Sequence, residues 1–132
     1  METDLTVLII ENNQIISVRL AEILSEVNEI GLVLKADDFI KAQILLSSRK
    51  VDVILLCIHI SDAEILELVT ICNYDQPCSL IILSNHPQNF YKEKYKYLGL
   101  NYWIDKANDF DLIPQLIDQI TKDTTKQLGS RL

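Results

Sequence analysis

Apolar and polar residues follow two alternating patterns along the chain. Apolar runs of strand length, rich in β-branched residues, occupy residues 5–10, 31–36, 51–56, 79–83 and 102–104. A continuous apolar run of this length is typical of a strand that is buried on both faces of a parallel sheet. The pattern therefore predicts five strands, of which the last is short.

Between these runs, apolar residues recur at intervals of three and four, which is the spacing of an amphipathic helix. The spacing predicts helices over 15–27, 40–45, 63–72, 87–98 and 110–120. The residue types that cap helices precede three of them: Asp37 or Asp38, Ser61 or Asp62, and Asp109. A strand–helix order repeated five times predicts a doubly wound, three-layer α/β sandwich around a five-stranded parallel sheet. Residues 1–121 form one domain in this interpretation, and the polar residues 122–132 form a frayed tail or the stub of a linker.

The amino-acid composition limits the kinds of molecule to which the chain could bind. The chain has 132 residues and is 48% hydrophobic, which excludes a disordered chain. Its net charge of −7 argues against nucleic acid as a partner, and its apolar runs are too short to span a membrane. Three cysteines without a recognisable signal peptide predict a cytoplasmic protein with free thiols. A disulfide between Cys72 and Cys78 is therefore not expected.

Polar residues follow the predicted strands, at the edge where ligands bind in open parallel sheets. The positions that follow the first, third, fourth and fifth strands hold Glu11, Asn12, Asn13, Cys57, His59, Ser84, Asn85, His86 and Lys106. An acid, a thiol, a hydroxyl and a cation should therefore lie close together.

Four segments resemble the receiver domains of bacterial two-component response regulators. They are VLIIENN at 7–13, DVILLCI at 52–58, IILSN at 81–85 and LGLNYWIDK at 98–106. Their order and spacing extend the resemblance over about residues 5–120. The resemblance implies a flavodoxin-like (βα)5 fold and a role in phosphorelay signal transduction.

The resemblance also assigns roles to single positions. Those that keep the family's residue types are Glu11 in the acid pocket, Ser84 and Lys106 at the phosphoryl contacts, and the switch aromatic Trp103. Two positions of the pocket depart from the family, because Asn12 replaces the second acid and Cys57 replaces the phosphoacceptor aspartate. Two positions after it also depart, since Ser61 stands where the family usually has proline and Ile65 where it commonly has glycine. Mg²⁺ prefers carboxylate oxygens, so its binding should be lost or weak. The resemblance thus implies a degenerate, non-enzymatic pseudo-receiver.

Aromatic residues suggest how such a domain acts. Tyr91, Tyr95, Tyr97 and Tyr102 gather in the helix predicted over 87–98 and in the strand after it. In the family this region, with the helix predicted over 110–120, contacts partners. We therefore expect protein binding through this surface, as a homodimer or a partner complex, with no nucleic acid and no membrane.

Other interpretations of the site remain open. Cys57 could serve a redox sensor or a thiol enzyme if Lys106 favours its thiolate, or it could be a small buried hydrophobe. His59 and His86 could join it as ligands or could be surface loop residues. The pocket between Asn12, Ser84 and Lys106 could bind a small molecule. Glu11 and Lys106 are expected to form a salt bridge, a remnant of the lost site.

Overall fold

A computed structural model of the chain describes residues 4–75, 77–84, 93, 96, 100, 102–106 and 109–131. The strands are β1 (Leu5–Ile10), β2 (Ile30–Ala36), β3 (Val53–Leu56), β4 (Ser79–Ser84) and β5 (Tyr102–Asp105). The helices are α1 (Gln14–Leu24), α2 (Phe39–Ser48), α3 (Asp62–Thr70) and α4 (Ile113–Arg131), with a π-helical turn at Ile71–Asp75 and a 3-10 turn at Phe110–Leu112. The helix predicted over 87–98 lies outside the described residues, except that Glu93 and Lys96 are helical.

The five strands form one parallel sheet in the order β2-β1-β3-β4-β5. Successive side chains of β1 enter opposite cores, because side chains alternate across a strand. Val7 and Ile9 pack in the cluster that contains the buried residues of α1 and α4. Leu8 and Ile10 pack in the cluster that contains those of α2 and α3. The predicted doubly wound, three-layer architecture is confirmed.

Side-chain hydrogen bonds satisfy backbone groups at the ends of several strands and helices. β3 begins at Val53, two residues later than predicted, because Asp52 bonds to Thr6 through its side chain as well as its backbone. The Asp52 carboxylate accepts a hydrogen bond from the Thr6 amide at 2.8 Å, and its own amide donates to the Thr6 carbonyl at 2.8 Å. Of the alternative caps, Asp38 and Ser61 accept from the helix backbone, at Lys41 and Glu64. Asp109 precedes the 3-10 turn without a side-chain cap.

The last helix is longer than the sequence pattern predicts. Its backbone continues through Arg131, eleven residues beyond the predicted end at Ile120. Ile113, Ile117 and Ile120 hold its first turns in the core. Once a packed segment has nucleated a helix, each further residue adds a hydrogen bond without needing burial. Within the described residues, no helix has the combined length and apolar character needed to cross a membrane.

The connection between α3 and β4 corrects the expectation of free thiols at Cys72 and Cys78. Cys72 and Cys78 form a disulfide, with their Cα atoms 4.6 Å apart. The expectation of free thiols rested on the odd number of cysteines and on the expected compartment, neither of which shows how the chain turns. The π-helical turn at Ile71–Asp75 brings the two cysteines together. Cys57 is the free cysteine.

Candidate functional site at the carboxyl edge of the sheet

Three backbone hydrogen bonds extend the sheet beyond its strands and place the candidate residues. The Glu11 amide donates to the Ala36 carbonyl at 3.0 Å, and the Cys57 amide donates to the Ile10 carbonyl at 3.0 Å. The Lys106 amide donates to the Ser84 carbonyl at 2.8 Å. Glu11, Cys57, Ser84 and Lys106 therefore meet at one edge of the sheet, as the sequence predicts.

A buried ion pair occupies the centre of this edge. The Lys106 Nζ lies 2.8 Å from Glu11 Oε1, and their side chains are 13% and 1% exposed. Nζ also donates to the Cys57 carbonyl at 2.7 Å. The second carboxylate oxygen, Oε2, accepts from the Asn13 amide at 2.9 Å. The predicted salt bridge is confirmed, and both oxygens of Glu11 are engaged within the protein.

Asn13 is a site residue that the motif comparison does not identify. Its amide fixes Glu11, while its side chain caps α1 by accepting from the Ile16 amide at 3.1 Å. The sequence does carry a signal for it, since asparagine directly before an amphipathic stretch is a preferred N-cap. The neighbouring Asn12 side chain is exposed.

Cys57 is held as a neutral thiol. The residue is 5% exposed and packs in the core cluster shared with α1 and α4. Its Sγ lies 3.8 Å from the Leu55 carbonyl oxygen. Burial, helped by the Glu11 carboxylate and only partly opposed by Lys106, raises the pKa of the Cys57 thiol to about 12. The thiol is therefore protonated at neutral pH, which favours the interpretation of Cys57 as a small buried hydrophobe.

The family implied by the sequence uses Mg²⁺ at this position, and the residues present do not fit that ion. Mg²⁺ requires several hard oxygen ligands in near-octahedral geometry. Both Glu11 oxygens are committed, Asn12 offers an exposed neutral amide, and Cys57 offers a protonated sulfur. Among the described residues, no group of three His, Cys, Asp or Glu side chains could hold a metal ion.

A cavity of about 310 Å³ opens beside the ion pair. It is lined by residues 56–60, 65, 82–84 and 106. Ser84 and Lys106 supply polar atoms on its wall, next to the Cys57 side chain. His59 also lines the cavity and is exposed to solvent, whereas His86 lies outside the described residues.

The other predicted site residues either do not line the cavity or lie outside the residues that the structure describes. Trp103 and Tyr102 are half-buried and pack against opposite core clusters, Trp103 with α2 and α3 and Tyr102 with α1 and α4. Tyr91, Tyr95 and Tyr97 lie outside the described residues.

No protein-family model matches the chain, and no curated protein matches it. Solved structures do. The signal receiver domain of an HD domain-containing protein from Pseudomonas fluorescens matches with TM-score 0.76 and 20% identity, over 93% of this chain and 98% of that one. The isolated receiver domain of RcsB from Salmonella enterica serovar Typhimurium matches with TM-score 0.80 and 14% identity, over 91% and 90%.

A response regulator from Thermotoga maritima matches with TM-score 0.75 and 17% identity, over 90% of this chain and 98% of that one. Identities this low carry information about architecture alone. In all three matches the similarity extends over nearly the whole of both chains. The chain therefore has the flavodoxin-like fold of response-regulator receiver domains.

Proposed function

We propose that the chain is a degenerate receiver domain that acts as a phosphorylation-independent, non-enzymatic protein-interaction module in bacterial two-component signalling. Its fold and the order of its motifs support the receiver assignment. The single observation that carries the degenerate assignment is the neutral, buried Cys57 thiol at the phosphoacceptor position. Aspartyl phosphorylation needs a carboxylate nucleophile at that position.

The ion pair supports the same proposal. In a receiver that is phosphorylated, the lysine and the acid pocket would contact the phosphoryl group and its metal ion. Here Lys106 neutralises Glu11 directly and also binds the Cys57 carbonyl. A pocket whose charges already cancel gives a cation little electrostatic reason to enter. We therefore propose that the domain keeps a single state, set by its sequence.

The proposed partner surface comprises the helix predicted over 87–98, β5 and α4. Its support is the concentration of tyrosines around β5, since aromatic residues are enriched in protein interfaces. The expected assembly is a homodimer or a complex with another cytoplasmic protein. Sedimentation at micromolar concentration tests the homodimer, and substitution of Tyr95 or Tyr97 by alanine should then weaken it. A monomer that these substitutions do not affect leaves only hetero-partners.

Intact-mass measurement tests the degenerate assignment. The protein is incubated with Mg²⁺ and acetyl phosphate, and we expect no phosphate adduct. The matched variant carries Asn12→Asp and Cys57→Asp, which return the two missing carboxylates. An adduct on the variant alone supports the proposal. An adduct on the wild-type protein that is labile like an acyl phosphate contradicts it.

The cavity supports a second candidate, the binding of a small molecule. Its volume of about 310 Å³ lies at the lower end of the range for ligand sites, roughly 300–1,000 Å³. Ser84, Lys106 and His59 offer polar groups among the apolar residues that line it. Native mass spectrometry of protein purified from its own cytosol should show a retained mass that is lost on denaturation. The mass of the protein alone under both conditions contradicts this candidate.

The third interpretation, a thiol enzyme or sensor at Cys57, loses support. A thiolate is the reactive form of cysteine, and burial holds the pKa of Cys57 near 12.

A further inference from the structure

The disulfide lies in the connection between the two elements that flank the cavity. Cys72 is the second residue of the π-helical turn that follows α3, and Cys78 directly precedes β4. The other end of α3 contributes Ile65 to the cavity wall, and the other end of β4 contributes Ser84. The bond thus joins α3 to β4 at the ends remote from the site.

The two sulfurs differ in their access to solvent. Cys72 is 5% exposed and packs in the core cluster with Leu68 and Val69. Cys78 is only partly buried and packs at the margin of that cluster. A reagent in solution therefore reaches Cys78 first, and Cys72 reacts from inside the protein.

We propose that Cys72 and Cys78 form a reversible redox site whose reaction partner is a small-molecule thiol–disulfide couple such as glutathione. In oxidation, the Cys78 thiolate attacks one sulfur of the small disulfide, and one small thiolate leaves and takes up the proton. The Cys72 thiolate then attacks Cys78 Sγ and expels the second thiol. Two electrons pass from the cysteines to the small disulfide, and reduction is the reverse.

The backbone holds the two cysteines together without the bond. The Cys78 amide donates to the Cys72 carbonyl at 3.2 Å. On one side, Cys72 continues the buried stripe of α3. On the other, the Ser79 amide donates to the Asp52 carbonyl at 2.9 Å and β4 pairs with β3. These contacts do not involve sulfur, so the pair can open and close within the folded protein.

Reduction should loosen the segment that the bond encloses. Residues 73–75 of the π-helical turn lie inside the loop that the disulfide closes, and Tyr74 among them is 82% exposed. Local opening governs proteolysis of such segments, and a covalent cross-link of a short loop restricts it. Cleavage by chymotrypsin after Tyr74 therefore reports the state of the pair.

The experiment equilibrates the folded full-length chain in buffers of varied reduced-to-oxidised glutathione ratio. Exchange is stopped with acid, and thiols are then alkylated in denaturant and counted by mass. The chain has three cysteines, and Cys57 is free in both states. We expect one alkylated thiol under oxidising conditions and three under reducing conditions, with a reversible transition between them. A count that stays at one or at three across all ratios overturns the proposal.

Chymotrypsin supplies the second readout. Cleavage after Tyr74, identified by mass, should be roughly tenfold or more faster in the reduced protein. The control variant Cys72→Ala/Cys78→Ala lacks the pair and should be cleaved at one rate in both buffers. Equal sensitivity of wild type and variant to the buffer would show that the cysteines are not the cause.

Discussion

Glu11 and Lys106 form a buried ion pair at the carboxyl edge of the sheet. The carboxylate is almost fully buried, and its two oxygens are held by the Lys106 ammonium and the Asn13 amide. A buried charge without its partner retains the full cost of leaving water. The pair therefore constrains the carboxyl edge of the sheet whether or not that edge binds anything.

The first prediction concerns this pair. Lys106→Met should lower the free energy of unfolding by about 3 kcal/mol, because it leaves the Glu11 carboxylate buried and uncompensated. Adding Glu11→Gln should recover part of that loss. Urea unfolding of the two single variants and the double variant measures the coupling. Strictly additive losses would mean that the two side chains do not interact.

The second prediction concerns Cys57 at alkaline pH. Its pKa is raised from 9.0 to about 12 in the folded protein, so the unfolded chain loses this proton first. The stability that the protonated Cys57 thiol contributes to the folded state is fully present below pH 9 and is lost as the pH rises from 9 to 12. At pH 10, one unit above 9.0, the loss is about 1.4 kcal/mol. When urea unfolding is measured across this pH range, Cys57→Ala should lack this part of the decline in the free energy of unfolding. Parallel curves for the two proteins would contradict it.

Residue types at the strand ends predicted that an acid, a thiol, a hydroxyl and a cation meet at the edge, and the family resemblance implied the ion pair between Glu11 and Lys106. They left Cys57 open between a reactive thiolate and a small buried hydrophobe, because its pKa depends on burial among residues far away in sequence. The same limit applies to Cys72 and Cys78, since their pairing depends on a π-helical turn that propensities do not encode.

At the scale of elements, the caps and hydrogen bonds decide where each element begins. Ser61 and Glu64 form a reciprocal capping box at the start of α3. In the family resemblance Ser61 is only a departure from proline, yet it stabilises the helix that contributes Ile65 to the cavity. Apolar periodicity located the strands and most helices, but hydrogen bonds such as those of Asp52 set their limits.

The third prediction tests this cap. Ser61→Ala should destabilise the protein by about 1 kcal/mol, because the amide of Glu64 loses its acceptor. Ser48→Ala is the matched control, since the Ser48 hydroxyl donates to carbonyls near the end of α2 and caps no amide. Thermal unfolding should separate the two variants. Equal shifts would show that the cap contributes nothing specific.

For the whole molecule, the alternation of apolar runs with segments of helical spacing was enough to predict the three layers and the parallel sheet. Each strand of the sheet centre is apolar on both faces, which only a sheet covered by helices on both sides can accommodate. The extent of α4 beyond residue 121 was missed, because a polar stretch carries no periodic signal of burial.

The central claim is that the pocket does not respond to the ligands that switch an ordinary receiver. Trp103 is the single tryptophan of the chain and lies on β5, at the position to which the family resemblance assigns the switch aromatic, so its fluorescence reports on that region. The decisive measurement is a titration of Trp103 emission with Mg²⁺ and beryllofluoride, a mimic of the phosphoryl group. We expect no change in wavelength or intensity at any concentration, because Glu11 and Lys106 neutralise each other and Cys57 supplies no carboxylate. A saturable change that requires both Mg²⁺ and beryllofluoride would contradict the claim.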